Sequence, residues 1–111
     1  MDKKAIAALL TKYSEGKAEV LVMGDLEATM AIKNKQVDYY FGSCATGAGG
    51  ALGLAVGLLG RDKCISVSMP GKILSQDEIS AAVKAGKVAF GFVNYDAEKV
   101  IPLILKAISE K

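Results

Sequence analysis

A run without charged residues, between Asp38 and Arg61, constrains this chain more than any other feature of its sequence. Seven of the 12 glycines of the 111-residue chain lie within it, from Gly42 to Gly60. The apolar part of the run, 48–60, has 13 residues, whereas a membrane-spanning helix needs roughly 20. We therefore expect a glycine-rich turn followed by a buried helix.

Helix-type and strand-type patterns alternate along the whole chain. Apolar residues at helical spacing predict helices, and short β-branched or aromatic runs predict strands. The predicted helices are about Asp2–Glu15, Asp25–Asn34, Gly47–Leu59, a segment after Ser75, and Asp96–Glu110. The predicted strands are Glu19–Met23, Val37–Phe41, Cys64–Met69 and Lys87–Val93. This alternation predicts an α/β fold, a single three-layer domain over residues 1–111 that begins with a helix and has a parallel sheet of about four strands.

Three local signals sharpen this prediction. Pro70 and Gly71 suit the two central positions of a type II turn. Ser75 and Glu78 have the spacing of a capping box, which predicts the start of a helix. Polar and apolar residues alternate within Cys64–Met69, which predicts a less buried strand at the edge of the sheet.

Composition excludes several classes of function. The chain has no histidine, so it can form neither a Ser-His-Asp triad nor an HExxH zinc site. The spacing of Cys44 and Cys64 matches no four-ligand zinc pattern, so we predict no metal and no cofactor. Two free thiols and an N-terminus unlike a signal peptide predict a cytoplasmic protein. Its 13 lysines are spread along the chain beside one arginine, so we expect no nucleic-acid partner.

The glycine-rich turn is the most informative candidate site. In open α/β sheets, ligands bind outside the carboxyl ends of the strands. A helix start offers unpaired N–H groups and a positive dipole end, which favour an anion. The turn has no GK[ST] sequence, so it is not a P-loop, and it lacks the third glycine of the dinucleotide-binding motif GxGxxG. It therefore matches no standard nucleotide-binding motif. An anion site and a structural turn are equally consistent with the spacing.

The candidate site residues gather in and around this turn. A thiol at a helix start has a lowered pKa, so Cys44 is the candidate catalytic residue. The candidate ligand-binding residues are Gly42, Ser43, Cys44, Thr46, Gly47, Ala48, Gly49, Gly50, Asp25 and Lys72. Asp25 is equally explained as a helix cap, and Lys72 as a solvated loop residue. We predict that Cys64 is a small core residue.

The glycines that follow the turn are better explained by packing than by ligand binding. Gly49, Gly53 and Gly57 recur every four residues and leave a groove along one helix face. Each interior glycine costs roughly 0.5–1 kcal/mol relative to alanine, which close packing would offset. We therefore interpret Gly53, Gly57 and Gly60 as a packing surface for the sheet or for a partner subunit, and we expect a homo-oligomer.

The sequence resembles the YhfU-like family of small bacterial cytosolic proteins of unknown function. The resemblance lies in 25–28, in the run 38–52 around Cys44 and in 86–91, and it extends over nearly the whole chain. It implies a soluble component of a transport or sugar-metabolism system, with a membrane transporter subunit as a possible partner. Family members begin with a short strand and a glycine turn that this sequence lacks, so we expect an open sheet position.

Two other groups are similar more distantly. Cys44–Gly49 matches the Cys-x-Thr-Gly-x-Gly turn of ribose-5-phosphate isomerase B-like proteins, in which the cysteine acts as a base. The IIB components of the phosphotransferase system carry a phosphorylated cysteine at a strand end before a small-residue loop. These similarities imply a base or a phosphoryl acceptor at Cys44.

Three hypotheses about function follow. The first is a protein that binds a phosphate- or carboxylate-bearing small molecule at the turn, with Cys44 as a possible phosphoryl acceptor. The second is an isomerase-like enzyme in which Cys44 is the base and Asp25, Asp96 or a partner subunit supplies the second acid–base group. The third is a non-catalytic assembly protein whose glycines form an interface.

Overall fold

The computed structural model describes residues 3–44 and 50–111, and it has alternating helices and strands. They are α1 (Lys3–Tyr13), α2 (Asp25–Lys33), β1 (Tyr40–Cys44), α3 (Gly50–Leu59), β2 (Cys64–Ser66), β3 (Ser68–Met69), β4 (Lys72–Ile73), α4 (Gln76–Lys84), β5 (Ala89–Val93) and α5 (Ala97–Ser109). Short 3₁₀ turns at Arg61–Lys63 and Asn94–Asp96 precede β2 and α5. The α/β class and the helical start are as predicted.

The main sheet is parallel, with the strand order β1-β5-β2. β1 pairs with β5 from Tyr40↔Ala89 to Cys44↔Val93, and β2 pairs with the first half of β5. All five residues of β5 are buried. A parallel strand covered on both faces is expected to be apolar throughout, which explains the sequence Ala-Phe-Gly-Phe-Val. The edge position predicted for the strand that begins at Cys64 is confirmed.

Helices cover both faces of the sheet. On one face, Phe90 and Phe92 of β5 join a buried cluster with residues of α1, α4 and α5. The ring of Phe41 lies 5.5 Å from that of Phe90, centroid to centroid. On the other face, Tyr40, Cys64 and Ala89 pack against residues of α2 and α3. The larger apolar side chains of β5 therefore all point to one layer, and the smaller ones to the other.

The prediction of a fourth sheet strand at Glu19–Met23 is wrong, because the parallel sheet of the described residues has three strands. The segment has neither helix nor strand structure. Two of its apolar side chains are exposed to solvent, Leu21 at 52% and Val22 at 51%. A strand is stabilised by pairing with a neighbour, and this segment makes no such pairing despite its suitable composition.

The strand predicted at Val37–Phe41 lies later in the chain, at Tyr40–Cys44. The backbone N–H groups of Gln36 and Val37 both bond back to the carbonyl of Ala31 at the end of α2. The chain is thus free to pair with β5 only from Tyr40, whose N–H donates to the carbonyl of Val88. This shift places Gly42, Ser43 and Cys44 in the strand, although the sequence suggested a turn.

The strand predicted at Cys64–Met69 is interrupted at Val67. The Val67 N–H donates to the carbonyl of Gly91, so this residue still lies beside β5. Its carbonyl accepts from the Leu74 N–H, which belongs to the returning chain after an antiparallel β3–β4 pair. The predicted Pro70–Gly71 turn joins these strands, and Gly71 has the positive φ of 80° that a type II turn requires. The antiparallel pairing of β3 with β4 was not predicted from the sequence.

The capping box predicted at the start of α4 is present. Ser75 Oγ accepts from the Glu78 N–H at 3.1 Å, and Glu78 Oε1 accepts from the Ser75 N–H at 3.0 Å. The hydrogen bond from the Ser75 backbone is the main reason that the pKa of Glu78 is lowered. The two residues therefore satisfy two N–H groups that the helix cannot pair internally.

Substitution of Ser75 by Ala removes one of these hydrogen bonds, and we expect it to lower the free energy of unfolding by about 1 kcal/mol. Urea unfolding measures this change. Ser109→Ala serves as the control, because that hydroxyl bonds only to the Lys106 carbonyl at an exposed helix end. Equal effects of the two substitutions would contradict a stabilising cap at Ser75.

The lowered pKa of Glu78 also predicts a pH dependence. A carboxyl whose pKa is lower in the folded state stabilises that state above its unfolded pKa of about 4.3. This contribution is lost as the pH falls through the lower, folded value. We expect the stability difference between the native protein and Glu78→Gln to shrink on acidification in urea unfolding series. A difference that is independent of pH would contradict the predicted linkage.

Candidate functional site

The carboxyl ends of the three parallel strands lie at one edge of the sheet. β1 ends at Cys44 directly beside Val93, the end of β5. α3 begins at Gly50, so the connection across the glycine-rich turn is only five residues long. α5 follows β5 through the 3₁₀ turn Asn94–Asp96. Two adjacent strand ends, each followed by a helix, therefore lie at the edge where α/β sheets bind ligands.

The structure describes some of the predicted turn residues and not others. Thr46, Gly47, Ala48 and Gly49 lie outside the described residues. Gly42 is buried and Ser43 is half-buried, both within β1. Cys44 is the last residue of that strand, and Gly50 is the first of α3. The role of these residues in ligand binding stays a prediction.

Ser68 fixes the end of the central strand, a role that no local sequence pattern indicates. It is fully buried, and its Oγ accepts from the Val93 N–H at 2.8 Å. The main-chain donor at the end of β5 is thereby satisfied by a side chain rather than by another strand. The alternation in Cys64–Met69 had suggested an exposed side for Ser68. Both Val67 and Ser68 are buried because the chain turns into the hairpin there.

Asp96 is a buried acidic residue at the same edge. It is 6% exposed, and its carboxylate makes no hydrogen bond or ion pair within the described part of the chain. It occupies the position before α5 without capping that helix through its side chain. In the sequence it looked like an ordinary helix start, because nothing local indicates its burial.

Asp25 has structural partners. Gly24, not Asp25, is the N-cap of α2, so the predicted cap is wrong by one residue. The Asp25 carboxylate accepts a hydrogen bond from Tyr40 Oη at 2.7 Å, and Lys3 Nζ lies 3.5 Å from it. These contacts connect α1, α2 and β1. They give the side chain a role in holding the fold together, and its part in ligand binding stays a prediction.

Lys72 is exposed in the β3–β4 hairpin. Its charge helps to lower the pKa of Glu78, after the hydrogen bonds from Ser75, so it lies near the start of α4. This position is consistent with the solvated lysine that the sequence analysis left open. Its contact with a ligand stays a prediction.

A groove of about 1080 Å³ runs along the outer edge of β1. The segment 17–23 forms its far wall, and Tyr39, Phe41 and Ser43 of the β1 region are among its lining residues. It occupies the place where the predicted fourth strand would have paired. The groove is therefore explained by an unpaired sheet edge, and the candidate residues Gly42 and Ser43 are part of its lining.

Gly53 and Gly57 do not pack closely within the chain, so the predicted packing against the sheet is wrong for them, and packing against a partner subunit stays a prediction. Both are exposed, and a Cβ added at either would meet no atom within 4 Å. Gly53 lines a shallow groove of about 400 Å³ between α3 and the open edge of β2. Gly60 differs, because its φ of 95° favours glycine at the end of the helix.

The described residues hold no group of three or more metal-ligating side chains that could bind an ion. Within the same residues, every helix is too short or too polar to cross a membrane.

Sequence comparisons identify relatives over almost the whole chain. A family model described as "Protein of unknown function DUF2620" matches residues 1–108. "Uncharacterized protein YhfU" of Escherichia coli (strain K12) and that of Shigella flexneri are each 34% identical over 105 residues. That alignment covers 95% of this chain and 90% of each relative. No solved structure matches significantly. The YhfU-like resemblance is thus confirmed, and the two more distant similarities stay predictions.

The two thiols offer a test of the local environment. Burial raises the pKa of the Cys64 thiol more than the nearby Lys87 lowers it. We expect Cys64 to react slowly with iodoacetamide at pH 7.5, because the thiolate is the reactive form. Cys44, which ends β1 ahead of α3, should react at least about tenfold faster. Mass spectrometry of Cys44→Ser and Cys64→Ser separates the two rates. Faster alkylation of Cys64 would contradict the prediction.

Proposed function

This chain belongs to the DUF2620 family of proteins of unknown function, and we propose that it binds a small molecule bearing a phosphate or carboxylate group at the carboxyl edge of its sheet. The site is the glycine-rich connection between β1 and α3. The in-register ends of β1 and β5 carry the proposal, because they place Cys44, after which this connection begins, beside the end of the central strand.

The start of α3 supports an anionic ligand. The first N–H groups of a helix lack internal partners, and the helix dipole places partial positive charge there. The first turn of α3 contains no acidic side chain that would occupy this end. Small residues on the preceding connection let a ligand approach the backbone closely. An anion with several oxygens suits such a site.

Cys44 is the candidate reactive group within this proposal. It ends β1, next to the connection, and a thiolate there would be stabilised by the same N–H groups. A role as phosphoryl acceptor would make the protein a IIB-like component of a transport or sugar-metabolism system, with a membrane transporter subunit as partner. A role as base would make it isomerase-like. Both roles include a cytoplasmic location, where free thiols persist.

Ligand-induced stabilisation tests the binding site. A ligand at 100 times its dissociation constant should raise the free energy of unfolding by about 2.7 kcal/mol. We expect such a rise, followed by thermal unfolding, with inorganic phosphate, a sugar phosphate or a small carboxylate. Gly49→Asp should abolish it, because the added carboxylate would repel the anion.

Gly24→Asp is the matched control. It adds the same charge at another helix start, where a new side chain meets nothing within 4 Å. This variant should keep the stabilisation by anions. The proposal is wrong if no anion stabilises the native protein, or if the two variants respond alike.

Homo-oligomer formation is a second candidate function, and the exposed glycines of α3 favour it. This helix has no charged residue, and its exposed Gly53 and Gly57 gain nothing from packing inside the chain. The neighbouring helix α2 exposes two apolar side chains one turn apart, Leu26 at 57% and Met30 at 37%. A second copy of the chain would cover both helices and would offset the cost of the glycines.

Sedimentation velocity tests this candidate. We expect a dimer, and we expect Gly53→Leu with Gly57→Leu to shift it towards monomer, because the added side chains fill the open face. Lys84→Leu on α4 is the control, since it adds similar apolar surface to another exposed helix position. A native protein that is monomeric at high concentration would contradict assembly through α3.

A further inference from the structure

The two edges of the parallel sheet differ in how they limit pairing with another chain. β2 has three residues, follows the charged turn Arg61–Lys63 and leads directly into the β3–β4 hairpin. Short strands and nearby charges are common means by which an edge avoids such pairing. β1 has five residues, Tyr-Phe-Gly-Ser-Cys, with no charge and no proline among them. Its sequence therefore has none of these features.

Alternate backbone groups of β1 face away from β5. The Tyr40 N–H donates to the carbonyl of Val88, so Tyr40 and Gly42 direct their N–H and C=O groups to β5 in the parallel register. Those of Phe41 and Ser43 point to the opposite side, where no strand of residues 3–44 and 50–111 pairs with β1. An edge of this kind is a template for one further strand.

The groove beside this edge has the size of an extended peptide. Its volume is about 1080 Å³. From the spacings of strands and sheets, each residue of an added strand needs about 160 Å³. The groove therefore holds about six residues in strand conformation, and β1 itself is five residues long.

The far wall of the groove, segment 17–23, limits what can reach the edge. A second copy would have to bring its own β1 together with the helices that cover both faces of the sheet. An edge three layers thick does not fit into a groove of this volume. An extended segment that stands clear of the body of its own protein does fit.

The lining of the groove favours an apolar segment without net charge. Ile6, Leu10 and Leu105 are among the lining residues, and so are Leu21 and Val22 of the far wall, which are both more than half exposed. The charged lining residues among those described are three basic and three acidic: Lys3, Lys4, Lys17, Glu19, Asp25 and Asp38. Their charges cancel, so they select neither an anion nor a cation.

We propose that this groove is a docking site for an extended peptide segment of a partner protein, which adds to β1 as a strand. Alternate residues of such a strand face the layer of α1 and α5, as Phe41 does. The segment therefore carries aliphatic side chains at alternate positions. Main-chain hydrogen bonds to Phe41 and Ser43 supply affinity, and the alternate side chains supply specificity. This site is independent of the proposed anion site.

Amide hydrogen exchange, followed by NMR, tests the docking site with an acetylated and amidated hexapeptide that alternates threonine and valine. The peptide is uncharged, so its binding is separate from that of an anion. At ten times its dissociation constant, a newly paired N–H should exchange about tenfold more slowly. We expect this change at Phe41 and Ser43, and little change at Gly42, which already faces β5.

A peptide of three threonines followed by three valines is the composition-matched control. It presents one valine fewer to the apolar face, and we expect it to bind about tenfold more weakly. The other uncharged and apolar features of the two peptides are the same, so a difference in affinity reports the alternation.

Ala7→Gln and Ala8→Gln are a matched pair of variants of the protein. Ala7 lines the groove, whereas Ala8 is exposed on α1 and is not among the described lining residues. Both substitutions have the same small cost in helix propensity. Ala7→Gln should weaken binding of the alternating peptide at least about fivefold, because its side chain fills the groove. Ala8→Gln should leave the affinity unchanged.

The exchange rates of the free protein are themselves a test. Phe41 and Ser43 N–H groups as protected as that of Gly42 would show that the edge is already paired, by the chain itself or by a second copy, and would overturn the inference. It is also wrong if the alternating peptide produces no saturable change, if protection appears only elsewhere, or if the two alanine variants bind it equally. Measurements on the native protein decide the matter when a variant does not fold. None of these outcomes bears on the anion site.

Discussion

Burial of β5 between two edge strands and two helical layers is the constraint from which the rest of the structure follows. Its phenylalanines face α1, α4 and α5, and its small residues face α2 and α3. A parallel strand covered on both faces is expected to be apolar throughout. β1 and β2 both pair with β5 in a parallel register. At the end of β5, the Val93 N–H donates to Ser68 Oγ.

The candidate site depends on this arrangement. The end of β5 is fixed, so the end of β1 beside it is fixed too, and five residues separate Cys44 from the start of α3. The buried Asp96 follows directly from the same strand. The groove along β1 follows from an open sheet edge, and Gly42 and Ser43 of the candidate site line part of it.

Local signals in the sequence predicted much of the fold. The capping box of Ser75 and Glu78 and the turn at Pro70–Gly71 depend on residues close together in the chain, and both are present. The parallel sheet was predicted from alternation alone. The errors concern long-range pairing. Glu19–Met23 has the composition of a strand, but composition does not supply a neighbouring strand with which to pair.

The candidate site was predictable only in part. The glycine-rich connection was evident from the sequence because its composition is unusual, and its position after β1 follows from strand order. Burial of Asp96 and Ser68 arises from elements distant in sequence, and no local pattern indicates it. The same reason explains Gly53 and Gly57, whose spacing suggested close packing, although whether a neighbour lies opposite depends on the tertiary structure.

Amide chemical shifts during a titration of the ¹⁵N-labelled protein with glycerol 3-phosphate test the central claim most directly. The account predicts saturable shifts that cluster at residues 43–52 and 93–97, on the two strand ends and the helix starts that follow them. Shifts confined to residues 17–23 and 36–41, along the groove beside β1, would place the ligand elsewhere and contradict the account. The absence of any saturable shift would contradict it as well.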